Sequence, residues 1–238
     1  KFENLALETK LNNDFYLINE QENKLYLWVN VKGNPIIYNK EKTPINVALV
    51  LDRSGSMSGA KLNYARKATK YIIDNLEKND KLSIITYDHR VTLVSSSAPV
   101  KKKKKLKKKV DLIVHDGATN LSGGMFEGYK LVQKSYEKGY VNRVLLMSDG
   151  LANRGITDHF RLQDSVKHLN RTNNITLSTF GLGADFDEDL MEALADFGGA
   201  NYYFIDKAEK IQAIFSKELE YVQSVVAQNV MLNVAFPN

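Results

Sequence analysis

Ile45-Asn46-Val47-Ala48-Leu49-Val50-Leu51-Asp52-Arg53-Ser54-Gly55-Ser56 decides the fold. Its first seven residues are a short, nearly continuous apolar run, the pattern of a strand buried on both faces. The run ends on an acid and two hydroxyl residues packed into one turn. An amphipathic stretch follows, roughly residues 59–78, with Leu62, Ala65, Thr69, Ile72, Ile73 and Leu76 on one face. A buried strand that hands over directly to a helix is the opening of an α/β unit.

The same alternation continues downstream. Strands are predicted at 45–51, 81–87, 91–95, 142–148, 175–181 and 201–205, and helices at roughly 59–78, 101–114, 122–137, 158–171, 187–197 and 207–224. This predicts an α/β fold: a doubly wound, mostly parallel six-stranded sheet with helices on both faces. The short turn Asp88-His89-Arg90 leaves room only for a hairpin, so strand 91–95 should be the one antiparallel edge.

The ends read differently. Phe15–Ile18 and Leu25–Val31 are β-rich and flank the polar turn 19–23, and residues 229–236 form another strand candidate. The expected division is a β-rich segment over 1–44, the α/β domain over 45–224, and a strand within 225–238 that pairs with the first segment. A strand so near Asn238 leads us to expect further chain in the full protein.

Composition narrows the chemistry. With 238 residues, 43% of them apolar, the chain can bury a large core. The absence of cysteine excludes disulfides, thiolate catalysis and Cys-type zinc sites. No apolar stretch is long enough for a membrane-spanning helix. The net charge of +5 is local: the run 101-KKKKKLKKK-109 holds eight lysines, and without them 25 basic residues face 28 acidic ones. The run lacks the Arg and aromatic residues that read or stack on bases, so no nucleic-acid partner is expected. Leu106, Val110 and Ile113 give it an apolar side. Lys101–Lys109 therefore reads as a helix with a solvated basic face, with contact to an anionic polymer or membrane as the alternative.

Two further loops carry oxygen ligands: Thr119 within Gly117-Ala118-Thr119-Asn120-Leu121-Ser122-Gly123-Gly124, and Asp149 directly after the strand at 142–148. Ligands of doubly wound sheets lie beyond the carboxyl ends of the strands, where the winding reverses. If 45–51 and 142–148 flank that point, Asp52 and Asp149 face each other across the crevice. Two carboxylates with neutral hydroxyls suit a hard divalent ion. Each piece alone has a plainer explanation. Asp-x-Ser-x-Ser is a common helix cap, with Ser56 or Ser58 able to cap the following helix, and Asp149-Gly150 is a common turn. Asp185-Phe186-Asp187-Glu188 reads as a capping box with Asp185 as the cap. The four histidines show no paired ligand spacing. Asp116, near the Thr119 loop, is a marginal candidate.

Taken together, Asp52-x-Ser54-x-Ser56, Thr119 and Asp149 resemble the metal-ion-dependent adhesion site of von Willebrand factor type A domains, over about residues 45–220. Asp52-Arg53-Ser54-Gly55-Ser56-Met57, Leu151-Ala152-Asn153 and Gly181–Phe186 look most like bacterial stand-alone members, with a part shared by inter-alpha-trypsin-inhibitor heavy chains. The resemblance implies that Ser54 and Ser56 ligate Mg²⁺ (or Mn²⁺ or Ca²⁺) directly. It implies that Asp52 and Asp149 hold the ion directly or through water, and that Thr119 moves between the two modes. It further implies an open metal position for an Asp or Glu of a partner protein and no enzymatic activity, and it favours a bacterial envelope or extracellular location over a cytoplasmic one without fixing it. Two alternatives stand beside this. A Mg²⁺-dependent phosphoryl-transfer hydrolase of the haloacid dehalogenase type needs a second acid two residues after the nucleophilic Asp, where this chain has Ser54. A structural domain with an idle metal site is the other. A serine hydrolase lacks its elbow, because Met57 stands at the nucleophile position, and no phosphate-binding loop is present.

Overall fold

A computed structural model describes residues 5–12, 26–33, 42–224 and 230–235. Contacts divide the chain into two compact units, one formed by residues 1–41 with 224–238 and the other by 42–223.

In the first unit, β1 (Leu5–Leu11) and β2 (Leu27–Gly33) pair antiparallel, with Leu5 opposite Gly33 and Leu11 opposite Leu27. The strand expected at 15–18 and its turn lie outside the described residues. The partner of β2 is instead a more N-terminal segment, Leu5-Ala6-Leu7-Glu8-Thr9-Lys10-Leu11. Lys32 and Asn30 reach across the ribbon to Glu8, at 3.0 and 3.3 Å. Of the C-terminal strand expectation, 229 and 236 lie outside the described residues; residues 230–235 have no strand structure, and Val230, Met231, Leu232 and Val234 are at least half exposed. An apolar run becomes a strand only where a sheet edge takes up its backbone hydrogen bonds, and among the described residues this run has none.

The second unit carries the six-stranded sheet. In chain order its elements are β3 (Ile45–Asp52), α1 (Ala60–Asn75), β4 (Lys81–Tyr87), β5 (Val91–Pro99), α2 (Lys103–Asp111), α3 (Leu121–Lys134), β6 (Val141–Ser148), α4 (His159–Asn173), β7 (Thr176–Leu182), α5 (Glu188–Phe197), β8 (Tyr202–Ile205) and α6 (Lys210–Gln223). The strand order is β5-β4-β3-β6-β7-β8. All neighbours are parallel except β5, which returns antiparallel along β4 as the short Asp88–Arg90 turn requires. β5 runs four residues beyond the expected end, through Ser96–Pro99, with register shifts near Ile84. As an edge strand it hydrogen-bonds on one side only and tolerates that polar, proline-ended tail.

Every residue of β3 and of β6 is buried. One sheet face presents Ala48, Val50, Ile85, Val144 and Leu146 to Leu121, Met125 and Val132 of α3, with Leu162 and Val166 of α4 and Leu190 and Leu194 of α5 in the same core. By alternation the opposite face carries Val47, Leu49 and Leu51. There α1 packs beside α2 and α6, and Phe180 stacks on Phe215 of α6 with ring centroids 4.4 Å apart. Each buried Val, Leu, Ile, Met or Phe side chain among these contributes about 1.5–3 kcal/mol relative to exposure.

α3 lies unusually close to the sheet. A Cβ on Gly124 would stand 2.3 Å from the Tyr87 ring, and one on Gly128 would stand 2.6 Å from Val50. The two glycines, one turn apart, let the helix axis approach β3 and β4 and so fix the preceding loop, which bears Thr119.

Candidate metal centre

The winding reverses between β3 and β6, the two central strands. Their register sets Leu51 opposite Met147, so Asp52 comes level with Ser148, and Asp149 follows one residue later. The expected pair of acids therefore leaves adjacent carboxyl ends. Both are fully buried.

Asp52 is held by neutral donors. The Ser148 hydroxyl donates to Oδ2 at 2.6 Å, and the Ser54 amide donates to Oδ1 at 2.8 Å. Burial raises the Asp52 carboxyl from 3.8 to about 6; the Ser148 and Ser54 hydrogen bonds oppose the rise, and the nearby Asp149 charge adds to it. That rise corresponds to a penalty of about 3 kcal/mol on the charged form. Asp149 is placed differently. The Lys61 ammonium donates to its Oδ2 at 3.0 Å, and the Leu151 amide lies 3.4 Å from Oδ1.

Hydrogen bonds knit the three loops. The Gly55 amide donates to the Gly117 carbonyl at 2.9 Å, and the Asp116 amide donates to the Arg53 carbonyl at 2.8 Å, joining the first loop to the second. The Thr119 carbonyl accepts from the amides of Asn153 and Arg154, both at 3.1 Å, and Asn153 Oδ1 accepts from the Thr119 amide at 2.8 Å, joining the second to the third. The Asp187 amide donates to the Asp149 carbonyl at 3.0 Å and ties in the start of α5. Ser54 and Ser56 Oγ lie 3.1 Å apart. Thr119 is buried, and Asp116 is exposed.

Two capping expectations are corrected. The serines do not cap α1: Ser54 opens a short 3-10 turn over Gly55–Met57, and α1 begins after Gly59 with no side-chain cap. With Ser54 and Ser56 hydrogen-bonded to each other, neither hydroxyl serves a helix end. In α5 the cap is Asp187, which accepts from the Leu190 amide at 3.0 Å, because the helix starts at Glu188, two residues later than an Asp185 cap requires.

Sequence reasoning missed three participants. Ser148 carried a signal, a hydroxyl closing the apolar run Val144–Met147 of a buried strand. Tyr87, level with Asp52 across β3 and β4, carried none. Its hydroxyl is buried without a hydrogen-bond partner, and burial beside the Asp52 charge pushes the phenol well above its usual range. Lys61, off the apolar face of the amphipathic stretch, carried none either.

The donor set fits a hard divalent ion. It offers two buried carboxylates, convergent serine hydroxyls, a buried threonine and a buried phenol left without a partner. Among the described residues no three Asp, Glu or His side chains gather, so such an ion would rely on hydroxyl and water oxygens, as Mg²⁺ tolerates. On α2, Lys107 pairs with Asp74, Lys103 donates to the Asp74 carbonyl and Lys109 to that of Val94. Lys104, Lys105 and Lys108 stay exposed on one helical face, and Lys101 and Lys102 are exposed just before the helix.

Comparison with known proteins accords with this geometry. The von Willebrand factor type A domain model matches residues 46–217. The uncharacterized protein YfbK of Escherichia coli is 33% identical over 195 residues, covering 80% of this chain and 33% of that protein. The chain thus spans about a third of this relative's length. Among solved structures, a von Willebrand factor type A protein from Catenulispora acidiphila superposes with a TM-score of 0.71 at 16% identity, over 90% of this chain and 48% of that one. Proximal thread matrix protein 1 from the mussel byssus, solved with a zinc-occupied metal-ion-dependent adhesion site, superposes at 0.62 and 15% identity, over 75% and 48%. The chain belongs to the von Willebrand factor type A domain family.

Proposed function

We propose that the domain is a divalent-metal-dependent protein-binding module that holds Mg²⁺, or Mn²⁺ or Ca²⁺ in its place, through Asp52, Ser54, Ser56, Thr119 and Asp149. Its partner supplies an Asp or Glu carboxylate. The observation that carries this reading is the hydrogen-bonded knot of three loops at the switch point, with both acids buried and the hydroxyls of Ser54 and Ser56 converging. When bound, the ion supplies an electrophilic centre with exchangeable positions. The chain's residues do the rest. Asp52 and Asp149 provide charge, Ser54, Ser56 and Thr119 provide neutral oxygens that add no further negative charge, and Ser148 orients Asp52. The zinc found in the corresponding site of the mussel protein supports metal occupancy here.

Binding is favoured over phosphoryl transfer because Ser54 stands where that chemistry needs an acid. An envelope or extracellular setting suits an adhesive role, and among structural neighbours is the von Willebrand factor domain of a pilus tip protein from Porphyromonas gingivalis.

Calorimetric titration of metal-stripped protein with Mg²⁺ and Mn²⁺ tests the reading, beside Asp52→Ala and Asp149→Ala. Binding in the parent, weakened at least about 100-fold in Asp149→Ala, is expected, since one of only two anionic ligands is gone. Equal affinity in parent and variants would refute the assignment.

A further inference from the structure

Lys61 sits in the second position of α1, and its ammonium reaches back to the buried Asp149 Oδ2 at 3.0 Å. Its side chain is 18% exposed, whereas that of Asp149 is 0%. Among the described residues it is the only cationic group within hydrogen-bond reach of either site carboxylate, for Asp52 is held by a hydroxyl and an amide.

A second feature maintains this contact. Gly183 follows β7 with φ +84° and donates its amide to the Ile205 carbonyl of β8. A Cβ there would stand 2.4 Å from Lys61 Cε and 3.1 Å from both Cδ and Cγ. The glycine therefore leaves the space through which the lysine stem runs. The half-buried stem of Lys61 runs over Gly183 and delivers the ammonium to one oxygen.

We propose that Lys61 is a tethered counter-cation of the metal centre: it neutralises Asp149 in the metal-free protein and thereby weakens the affinity of the site for a divalent ion. The inference rests on the metal-site reading above. The charge count gives its sense. Two ionised carboxylates and a divalent ion sum to zero, and with Lys61 the sum is +1. The lysine thus opposes the metal and leaves the loaded site with a surplus positive charge, which an incoming partner carboxylate cancels. One residue lowers metal retention and raises the attraction for an acidic ligand. A purely structural ion pair predicts the opposite for the metal, since losing it would release Asp149 and weaken binding.

The test is a Mn²⁺ titration of the full chain, metal-stripped, as wild type, Lys61→Met and Lys61→Arg, followed by calorimetry and by the loss of the free-Mn²⁺ electron paramagnetic resonance signal. Removing a like charge a few ångströms from the ion at near-aqueous screening should tighten Mn²⁺ binding about tenfold in Lys61→Met. Lys61→Arg should stay near wild type. In parallel, metal-free Lys61→Met should melt below wild type, and Mn²⁺ should raise its midpoint by more than it raises that of wild type. Should the methionine variant not fold, Lys61→Gln takes its place. Binding in the neutral variant equal to or weaker than wild type would overturn the proposal while leaving the metal site standing. No Mn²⁺ binding in any of the three proteins would overturn both.

Discussion

Strand β6 carries a buried charged cluster at each end, and the two are built on opposite terms. Near its amino end Arg143, 3% exposed, meets the fully buried Glu218 of α6 at 2.7 Å. Glu218 also accepts from Ser178 at 2.6 Å, Asn201 at 3.0 Å and Tyr203 at 2.9 Å, so both carboxylate oxygens are shared between two donors each. At the carboxyl end Asp52 has one hydroxyl and one amide, Asp149 has a single lysine and a distant amide, and the Tyr87 hydroxyl has no partner. A buried charge with every lone pair engaged has nothing left to offer a ligand, and its energy goes into holding α6 on β6, β7 and β8. Buried charges left underserved cost stability and retain the capacity to bind.

The comparison is broken most forcefully at the satisfied end. Glu218→Ala should destabilise the domain by about 3–5 kcal/mol in denaturant unfolding, because Arg143 is left buried without its counter-charge. A loss below about 1 kcal/mol would mean that the network carries little of the stability.

The underserved end should respond in the opposite direction. The Asp52 carboxyl is raised in the folded state, from 3.8 to about 6, so between those values the folded protein binds more protons than the unfolded chain. The metal-free protein should therefore gain stability from this group as pH falls from 7 through 6 towards 4, by about 3 kcal/mol at most, and lose it again as pH rises. Asp52→Asn should remove that slope and stabilise the metal-free domain at neutral pH. Unfolding midpoints across pH 4–8, compared with wild type, decide the matter, and an unchanged slope in the variant would refute the assignment.

Much of this was legible in the sequence, and the reasons are local. The run 45–51 could only be a strand buried on both faces, and three residues between 87 and 91 allow only a hairpin. These two facts give the parallel sheet and its antiparallel edge. Asp52, Ser54, Ser56, Thr119 and Asp149 were legible because each stands at an element boundary. In the ribbon of β1 and β2, the second strand was read at 25–31 and the first was missed. Leu5, Leu7, Thr9 and Leu11 alternate with Ala6, Glu8 and Lys10, a short strand-like pattern, but its pairing across more than a dozen intervening residues leaves no short-range mark. Residues 230–235 failed in the other direction, since β propensity without a paired edge makes no strand. Lys61 and Tyr87 were hidden because their roles depend on where a stem or a ring points, which register and packing decide rather than spacing.

The most direct measurement is anomalous scattering from crystals grown or soaked with Mn²⁺. The account predicts a single strong peak bounded by the oxygens of Ser54, Ser56 and Thr119 and by the carboxylates of Asp52 and Asp149. No peak there at Mn²⁺ concentrations that saturate the protein in solution, or a peak held by other residues, would contradict it.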